Sequence, residues 1–242
     1  MTLRIAVLNL QAGIGVTKGY GQYLTSGWKY GLPHSTAPIQ AAGRFLKEER
    51  IDIALATEVE EHGMRSGFRS QGDLILSNSG LTHHEFFPTR STPPFIHEGS
   101  SVFSKQPLVR VRTHVLPSGR LSRVLGETVL EADGGTIAAF VGHLGLRQEK
   151  RQRQIAEIGR IVREEKGPII LGGDFNERDH NAFEIFKESG LAHFCAAPNF
   201  PSWKPKYPLA VLCLSSHFTV VKQCVAPALF SDHLPLVVEV EL

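Results

Sequence analysis

The chain has 242 residues, 42% of them hydrophobic and 21% charged, and its 26 basic and 24 acidic residues leave a net charge of +2. This composition is typical of a soluble globular protein and excludes a collagen, a coiled coil and a long disordered chain. It also excludes a uniformly basic nucleic-acid binder, although it permits a local basic patch.

The N-terminal part of the chain predicts a strand, a helix and a second strand. Residues 3–10 form an apolar run of strand length, and residues 51–56 form a second one that we expect to be buried. Between them, apolar residues recur at helical spacing. Ser35 or Thr36 can cap this helix, and Pro38 lies in its first turn, where a missing N–H costs nothing.

The segment from Gly13 to Pro38 has no clear period and is long for a connection, which is typical of functional or mobile loops. It carries four large aromatic residues, Tyr20, Tyr23, Trp28 and Tyr30. These side chains could stack on nucleic-acid bases, face a lipid surface or pack on one another in a compact loop. The sequence leaves the three alternatives open.

The middle of the chain, from residue 72 to residue 143, predicts mainly strands. We expect them over residues 73–76, 101–103, 109–115, 124–131 and 136–142. In the third of these, valines and a threonine alternate with Arg110, Arg112 and His114, which predicts a half-buried strand. Asp133-Gly134-Gly135 predicts a hairpin turn between the last two strands.

The C-terminal part predicts two helices among further strands. A strongly charged helix is expected over residues 148–165, with Ile155, Ile158, Ile161 and Val162 on one face. A short helix over residues 181–189 turns Phe183 and Phe186 inward and stops at Gly190. Strands are expected over residues 168–172, 209–214, 218–221 and 234–242.

No change of composition divides the chain, so we predict a single domain over residues 1–242, with β-sheets covered by outer helices. The cysteines Cys195, Cys213 and Cys224 are odd in number and lack C-x-x-C spacing, which predicts reduced, buried thiols. The N-terminus lacks a signal-peptide pattern, and no apolar run approaches the roughly 20 residues of a membrane helix. We therefore expect a cytoplasmic monomer that does not insert into membranes.

Polar residues able to bind a metal or a phosphate lie at the ends of several of the predicted strands. They are Asn9, Glu58, His143, Asp174, Asn176, Asp232 and His233. Ligand sites in layered folds collect at strand ends. Carboxylates suit Mg²⁺ or Mn²⁺, and imidazoles and amides beside such an ion can hold phosphate oxygens. Singly, each residue has a simpler explanation, such as a turn cap, a solvated acid or a core histidine.

Two of these positions stand in more specific motifs. Gly172 and Gly173 precede Asp174, and paired glycines allow the backbone to approach a ligand closely. Ser-Asp-His-x-Pro precedes the final strand. The order of the motifs along the chain is more informative than either motif alone.

That order resembles the endonuclease/exonuclease/phosphatase superfamily. The matching elements run from Asn9, through Asp-Ile-Ala-Leu-x-x-Glu58, a strand ending in His143-Leu144 before an Arg/Gln-rich helix, and Gly-Asp174-Phe-Asn176, to Ser-Asp232-His233. The resemblance implies a DNase I-like α/β/β/α sandwich, in which two mixed β-sheets pack face to face with helices outside. It also implies hydrolysis of a phosphoester with Mg²⁺ or Mn²⁺ at one rim.

The resemblance implies a role for each matching residue. Glu58 would be the principal metal ligand, assisted by Asn9 and Asp232. Asp174 would orient or deprotonate the attacking water, and Asn176 would hold water or a phosphate oxygen. His143 and His233 would contact the scissile phosphate. The segment around Trp203 also resembles the family, and we assign Trp203 to substrate binding.

The chain departs from the family pattern at two positions. Ala210 stands where the family usually has an Asp that pairs with the histidine of Ser-Asp-His, so His233 would be less well oriented. Thr57 replaces a usual Gln. The first departure keeps a second hypothesis open, a catalytically weakened phosphate-ligand binding protein of the same fold.

Basic residues near the proposed site suit an anionic substrate. They are Arg147, Lys150, Arg151, Arg153, Lys204 and Lys206. Arg151 is placed to reach a phosphate, whereas most of the others are typical of a solvated helix face. The expected substrate is a phosphodiester in a nucleic acid, a phospholipid or a small molecule, and a basic cluster alone cannot distinguish among these.

Overall fold

The computed structural model describes residues 1–119, 122–132 and 134–242, which form twelve strands and five α-helices. The strands are β1 (Thr2–Asn9), β2 (Ile53–Glu60), β3 (His83–Thr92), β4 (Ile96–Ser104), β5 (Leu108–Leu116), β6 (Arg123–Ala132), β7 (Gly135–His143), β8 (Ile169–Asp174), β9 (Leu191–Ala196), β10 (Ala210–Ser215), β11 (Thr219–Val225) and β12 (Leu236–Glu241). The helices are α1 (Gly21–Ser26), α2 (Ala37–Glu48), α3 (Gln71–Ser79), α4 (Gln148–Val162) and α5 (Glu184–Glu188).

The strands form two sheets of six, in the orders β11-β12-β1-β2-β4-β3 and β5-β6-β7-β8-β10-β9. Each sheet is mixed, because β1 pairs with β2 and β7 with β8 in parallel while the other pairs are antiparallel. This architecture confirms the predicted sandwich of two mixed sheets between helices.

Three apolar clusters hold these layers together. One lies between the sheets and includes Ile5, Leu55 and Leu212, all essentially inaccessible to solvent. A second joins α4 and α5 to one sheet, and a third joins α2 and α3 to the other. Burial of such apolar surfaces is the main stabilising contribution to a fold of this kind.

Helix α2 forms where the sequence predicts it. Ile39, Ala42 and Leu46 are buried on one face, and Pro38 lies in the first turn. The hydroxyl of Ser35 accepts a hydrogen bond from the amide of Ala37 (3.2 Å), so Ser35 satisfies one of the free N–H groups at the helix start.

The prediction of a strand over residues 73–76 is wrong, because this segment lies in helix α3. Ser70 caps the helix by accepting a hydrogen bond from the amide of Asp73 (2.8 Å), and Gly80 ends it in a left-handed conformation. A short apolar run has the same composition in a helix and in a strand, so its periodicity cannot distinguish them. The cap at Ser70 is the sequence feature that does.

Strand β5 is half-buried, but its exposed side is the apolar one. Val111 and Val115 are exposed, while Arg110 and His114 turn toward Glu127 on the neighbouring strand β6. The buried carboxylate of Glu127 needs cationic or hydrogen-bonding partners, which determines the face that points inward. The apolar alternation of the sequence does not reveal that acidic neighbour.

Other features of the chain differ from the sequence predictions in smaller ways. Cys195 and Cys213 are buried as predicted, but Cys224 on β11 is exposed. Strands β6 and β7 form the predicted hairpin with Gly134 in the left-handed region, whereas Asp133 lies outside the described residues. Among the described residues, no helix combines the length and hydrophobicity needed to cross a membrane.

Candidate active site

The candidate site residues meet where the central parallel strands of both sheets end. In the register of β1 with β2, Asn9 lies beside Thr57, and in that of β7 with β8, His143 lies beside Asp174. Because the carboxyl ends of parallel strands share one edge, these side chains converge on a single rim. The rim encloses a cleft of about 420 Å³, lined among others by Glu58, His143, Asp174, Asn176, Asp232 and His233.

Three side chains in the cleft could hold a metal ion together. Ligand atoms of Glu58, His143 and Asp174 all lie within 4.8 Å of one another. The Nε2 atom of His143 is 4.0 Å from Glu58 Oε1 and 4.0 Å from Asp174 Oδ2. Two carboxylates with one imidazole form a donor set that fits Mg²⁺ or Mn²⁺.

Asn9 presents its amide nitrogen to these carboxylates. Its Nδ2 donates hydrogen bonds to Glu58 Oε1 (3.0 Å) and Asp174 Oδ2 (2.8 Å). Its Oδ1 accepts a hydrogen bond from the backbone N–H of Gln11 (2.9 Å), which fixes this orientation of the amide. Asn9 therefore helps to hold the two carboxylates in place through its Nδ2, while its Oδ1, the atom that a metal ligand would use, accepts the hydrogen bond from Gln11.

Glu58 is placed by an irregularity in β2. Pairing between β2 and β4 shifts between Ala56 and Val59, and Glu58 has a φ of +54°, which is unusual for a residue with a side chain. Three other residues at this rim, Gln11, Ala12 and Asn176, also have positive φ. Such strained positions cluster at functional sites because the surrounding structure must hold them.

The electrostatics of the cleft favour a bound cation. Burial raises the pKa of Glu58 to about 8, and the negative charges of Glu98 and Asp232 add to this shift. Burial also raises the pKa of Asp232. A cation placed between such carboxylates would stabilise their charged forms.

His143 is neutral near pH 7. Burial lowers its pKa to about 4, and the positive charge of Arg123 adds to the effect. A neutral imidazole carries one N–H donor and one acceptor nitrogen, so His143 can bind either a metal ion or a phosphate oxygen.

The chain also matches a known protein family. The model of the Endonuclease/Exonuclease/phosphatase family matches residues 17–233. The chain belongs to this family. None of the curated proteins matches it.

Several solved structures share the fold of this chain. A mannosyl-6-phosphatase from Bacteroides thetaiotaomicron has a TM-score of 0.72 at 17% identity, with 99% of this chain and 100% of that one covered. The human Nocturnin catalytic domain with a bound sulfate has a TM-score of 0.69 at 21% identity, covering 99% and 93% of the chains. TDP2 of D. rerio with a single-strand DNA product has a TM-score of 0.69 at 13% identity, with 100% of this chain and 99% of that one covered.

Because residue 210 is an alanine, His233 lacks the acidic partner that the family pattern implies. Its Nε2 lies 3.6 Å from Asp174 Oδ2, and its ring packs against Phe200 with 4.6 Å between centroids. Its Nδ1 is buried without a hydrogen-bond partner in the described part of the chain. Ala210 lies opposite Asp174 in the sheet and has no acceptor to offer. The ring is therefore held by packing.

Asp232 is fixed by three side chains for which the sequence predicts no such role. Its Oδ2 accepts hydrogen bonds from the Tyr23 hydroxyl (2.6 Å) and from Gln11 Nε2 (3.0 Å). Its Oδ1 accepts one from the Ser231 hydroxyl (3.2 Å). Asp232 lies outside the group formed by Glu58, His143 and Asp174, and this network holds it at the rim of the cleft.

The segment from Gly13 to Pro38 borders the site. Tyr23 reaches Asp232, and Tyr30 lines the cleft. Tyr20 and Tyr23 stack on each other with ring centroids 6.4 Å apart, so part of the segment packs on itself. Both rings also pack against Trp203, with centroids 5.2 Å and 6.2 Å away. Trp203 packs against Tyr23 and is not among the described residues that line the cleft, so its contact with a substrate stays a prediction. Trp28 is exposed.

Arg151 is also engaged away from the cleft. Its Nε donates a hydrogen bond to Glu177 (3.1 Å), and its Nη1 donates to the carbonyl oxygen of Leu146. This buried guanidinium ties the start of α4 to the loop after β8. The expectation that Arg151 reaches a phosphate does not match this placement.

Four other arginines line the cleft, namely Arg65, Arg90, Arg123 and Arg178. Arg65 is buried and forms ion pairs with Glu60 and Glu98. The guanidinium of Arg178 lies 3.8 Å above the ring of Tyr207, which supports its position. Arg123 begins β6 and faces the acidic groups of the site. No motif marks these arginines in the sequence, because they come from separate loops and edges that only the fold brings together.

Asn176 and the paired glycines position Asp174. The side-chain Nδ2 of Asn176 donates a hydrogen bond to the carbonyl oxygen of Leu144 (3.1 Å). The backbone N–H of Asn176 donates one to Asp174 Oδ1 (3.1 Å). A Cβ on Gly173 would overlap the carbonyl oxygen of Gly142 on β7. The glycines thus allow β7 and β8 to approach each other closely. From the sequence, the same glycines predict a close approach of the backbone to a ligand.

Proposed function

We propose that the protein hydrolyses phosphodiester bonds by in-line attack of water, assisted by a divalent cation, Mg²⁺ or Mn²⁺. The observation that carries the proposal is the convergence of Glu58, His143 and Asp174, with their ligand atoms within 4.8 Å of one another. This group lies in a cleft that arginines also line. The hydrolysis of phosphoesters by related enzymes of this fold, including a mannosyl-6-phosphatase, supports the reaction class.

Glu58 and Asp174 would hold the cation, with Asn9 keeping the two carboxylates in position. When bound, the cation would polarise the phosphoryl oxygens and offset their negative charge. His143 is placed to complete the donor set or to donate to a phosphate oxygen. The role of Asp232 is to add negative charge at the rim that favours cation binding.

Asp174 and His233 are suited to handle the water and the transition state. Asp174 Oδ1 is held by the amide of Asn176, so its carboxylate is oriented to accept a proton from water. The Nε2 atom of His233 lies on the same side as Asp174 Oδ2 and can donate to a phosphoryl oxygen as charge develops. Arg123 adds positive charge in the same cleft.

The direct test is turnover of bis(p-nitrophenyl) phosphate with Mg²⁺ or Mn²⁺. We expect Glu58→Ala and Asp174→Ala each to lower kcat by at least about a hundredfold, as loss of a principal electrostatic group does in other enzymes. The exposed Glu149→Gln, on α4, serves as the matched control and should keep full activity. Turnover that survives both alanine variants, or that persists in excess chelator, would overturn the proposal.

A second candidate is a phosphate-ligand binding protein with little catalysis. The observation that favours it is the buried Nδ1 of His233, which has no hydrogen-bond partner among the described residues. This candidate predicts that inorganic phosphate binds in the presence of Mg²⁺, as measured by calorimetry, while the same preparation turns over no phosphoester. Turnover of bis(p-nitrophenyl) phosphate above the level of Asp174→Ala would exclude it.

A further inference from the structure

A second cavity of about 420 Å³ adjoins the candidate active-site cleft. Its described walls come from residues 118–119 after β5, the start of β6 and the turn that leads from β7 into α4. The residues that line it are Ser118, Gly119, Arg123, Gly145, Leu146, Arg147, Lys150 and Gln154. Arg123 and Leu146 line both cavities, so the two spaces share a wall.

The described lining of the second cavity carries positive charge only. Arg123, Arg147 and Lys150 contribute three cations, and no carboxylate lies among the lining residues. The nearest acid along α4, Glu149, forms an ion pair with Arg153 at 2.6 Å on the exposed side of the helix. A concave surface with one sign of charge attracts and concentrates ions of the opposite sign.

Hydrogen bonds of one buried side chain fix two walls of this cavity. Gln154 is fully buried, and its Oε1 accepts a hydrogen bond from the backbone N–H of Gly145 (2.9 Å). Its Nε2 donates to the carbonyl oxygen of Pro117 (2.9 Å), so one side chain connects both loops to α4. The cationic side chains therefore project from an ordered backbone, and the ammonium of Lys150 lies directly over Gly119, where a Cβ would overlap it.

We propose that Arg123, Arg147 and Lys150 form a second phosphate-binding site, so that the preferred substrate carries another phosphate group next to the one that is hydrolysed. The proposal rests on the proposed function for the cleaved phosphate. Arginine and lysine are the side chains best suited to phosphate, through charge and several N–H donors. Two sources offer this chemistry, a small molecule with two phosphates and the neighbouring phosphodiester of a nucleotide chain.

The test compares two chromogenic substrates that differ by one phosphate, thymidine 5′-(p-nitrophenyl phosphate) with and without a 3′-phosphate. We expect the 3′-phosphate to raise kcat/KM by about tenfold, mainly through a lower KM, and to make this gain decrease as salt increases. In Arg147→Gln/Lys150→Gln the ratio between the two substrates should fall to near one. Arg153→Gln, on the same helix and outside the cavity, is the matched control and should keep the ratio.

A third substrate, in which a thymidine is added to the 3′-phosphate, distinguishes the two sources. A gain that persists with this diester indicates a nucleotide chain, and a gain restricted to the terminal phosphate indicates a small bisphosphate. The proposal is overturned if the 3′-phosphate gives no gain, or if the gain survives in Arg147→Gln/Lys150→Gln.

A binding measurement separates failure of this proposal from failure of the proposed function. In excess chelator, calorimetry with thymidine 3′,5′-bisphosphate should show binding that the Arg147→Gln/Lys150→Gln variant weakens about tenfold and Arg153→Gln does not. If no substrate is hydrolysed but this difference is present, the hydrolase assignment fails while the second site stands. Equal binding by wild type and the double variant overturns the second site whatever the activity.

Discussion

His233 is a buried imidazole oriented by packing on Phe200, and its Nδ1 finds no hydrogen-bond partner within the part of the chain that the structure describes. A buried polar atom without a partner is costly, and at a candidate catalytic position it also leaves the tautomer of the ring unspecified. Ala210 lies opposite Asp174 in the sheet, and the family resemblance implies at this position an Asp that pairs with the histidine.

Replacing Ala210 with Asp should therefore raise kcat on bis(p-nitrophenyl) phosphate by about tenfold, the value of one hydrogen bond to a charged group. Ala210→Asn is the matched control, because it has similar size without the charge and should give a smaller gain. An unchanged or lower kcat in Ala210→Asp would mean that packing already holds His233 in its working orientation.

Glu58 makes the stability of the metal-free protein depend on pH. Its pKa of about 8 lies above the ordinary value of 4.5, so between these values the folded state binds a proton that the unfolded state has lost. Stability due to this group is therefore greatest at low pH and falls as pH rises toward 8. His143, with its pKa lowered to about 4, acts in the opposite direction only below its ordinary value of 6.5.

In chelator, we expect Tm to fall by a few degrees between about pH 6.5 and pH 8, and Glu58→Gln to remove most of this fall. Because the cation binds the deprotonated carboxylate, the rise of Tm caused by Mg²⁺ or Mn²⁺ should increase over the same range. Scanning calorimetry with and without metal checks both. A flat profile in chelator, or a metal effect independent of pH, contradicts this account of Glu58.

The sequence identifies single site residues unevenly, for a physical reason. Glu58, Asp174 and His233 stand in motifs whose order along the chain can be recognised. Gln11, which donates a hydrogen bond to Asp232, has a positive φ, and a glutamine in a sequence does not predict that conformation. Arg123 lines the cleft because β6 begins at the rim. That position depends on the order of the strands in the folded sheet, which the sequence does not reveal.

Among the elements, strands β7 and β8 show how backbone approach sets the spacing of the site. The two strands run parallel with Gly142 beside Gly173 and His143 beside Asp174. Gly173 has a φ of +146°, and its missing Cβ leaves room for the carbonyl of Gly142. This close pairing places His143 and Asp174 on adjacent strand ends.

Gly173→Ala should therefore destabilise the protein by about 2–4 kcal/mol and lower kcat, since the two strands must separate. Gly167→Ala is the control, because a Cβ there meets only the carbonyl of Thr136 at 3.8 Å and φ is ordinary. Denaturant unfolding and turnover of the same preparations provide the measurements. Equal stability of the two variants would show that the strands adjust without cost.

Elements were predictable where a pattern of burial determined them. Helices α2 and α4 follow from apolar residues at helical spacing, and the C-terminal strands follow from apolar runs. Strand β3 carries few apolar residues, and α3 contains a short apolar run that fits a strand equally well. In β5 a buried acid on the next strand determines the inward face, so the information lies outside the element.

At the scale of the molecule, the interior between the sheets depends on complementary sizes across the layers. Phe87 of β3 fills the space left by Gly126 of β6 in the opposite sheet, and a Cβ on Gly126 would overlap its ring. The sequence predicts two sheets with a common core, but not this pairing, since the partners come from strands that are distant in the chain.

Gly126→Ala should destabilise the protein by about 1–3 kcal/mol through overpacking against this ring. Phe87→Leu should also destabilise it, but the double variant should be less destabilised than the sum of the two, because the smaller side chain frees the space. Urea unfolding of the four proteins measures the coupling. Strict additivity would show that Phe87 and Gly126 do not share this space.

Strand β5 ends its sheet and presents Val111 and Val115 to solvent beside the exposed Arg112. Two copies meeting along this edge would bury valines but would bring like charges together. At low ionic strength the repulsion opposes contact, and at high ionic strength it is screened while the apolar attraction remains. We therefore expect the solubility of the protein to depend on the salt concentration through this face of β5.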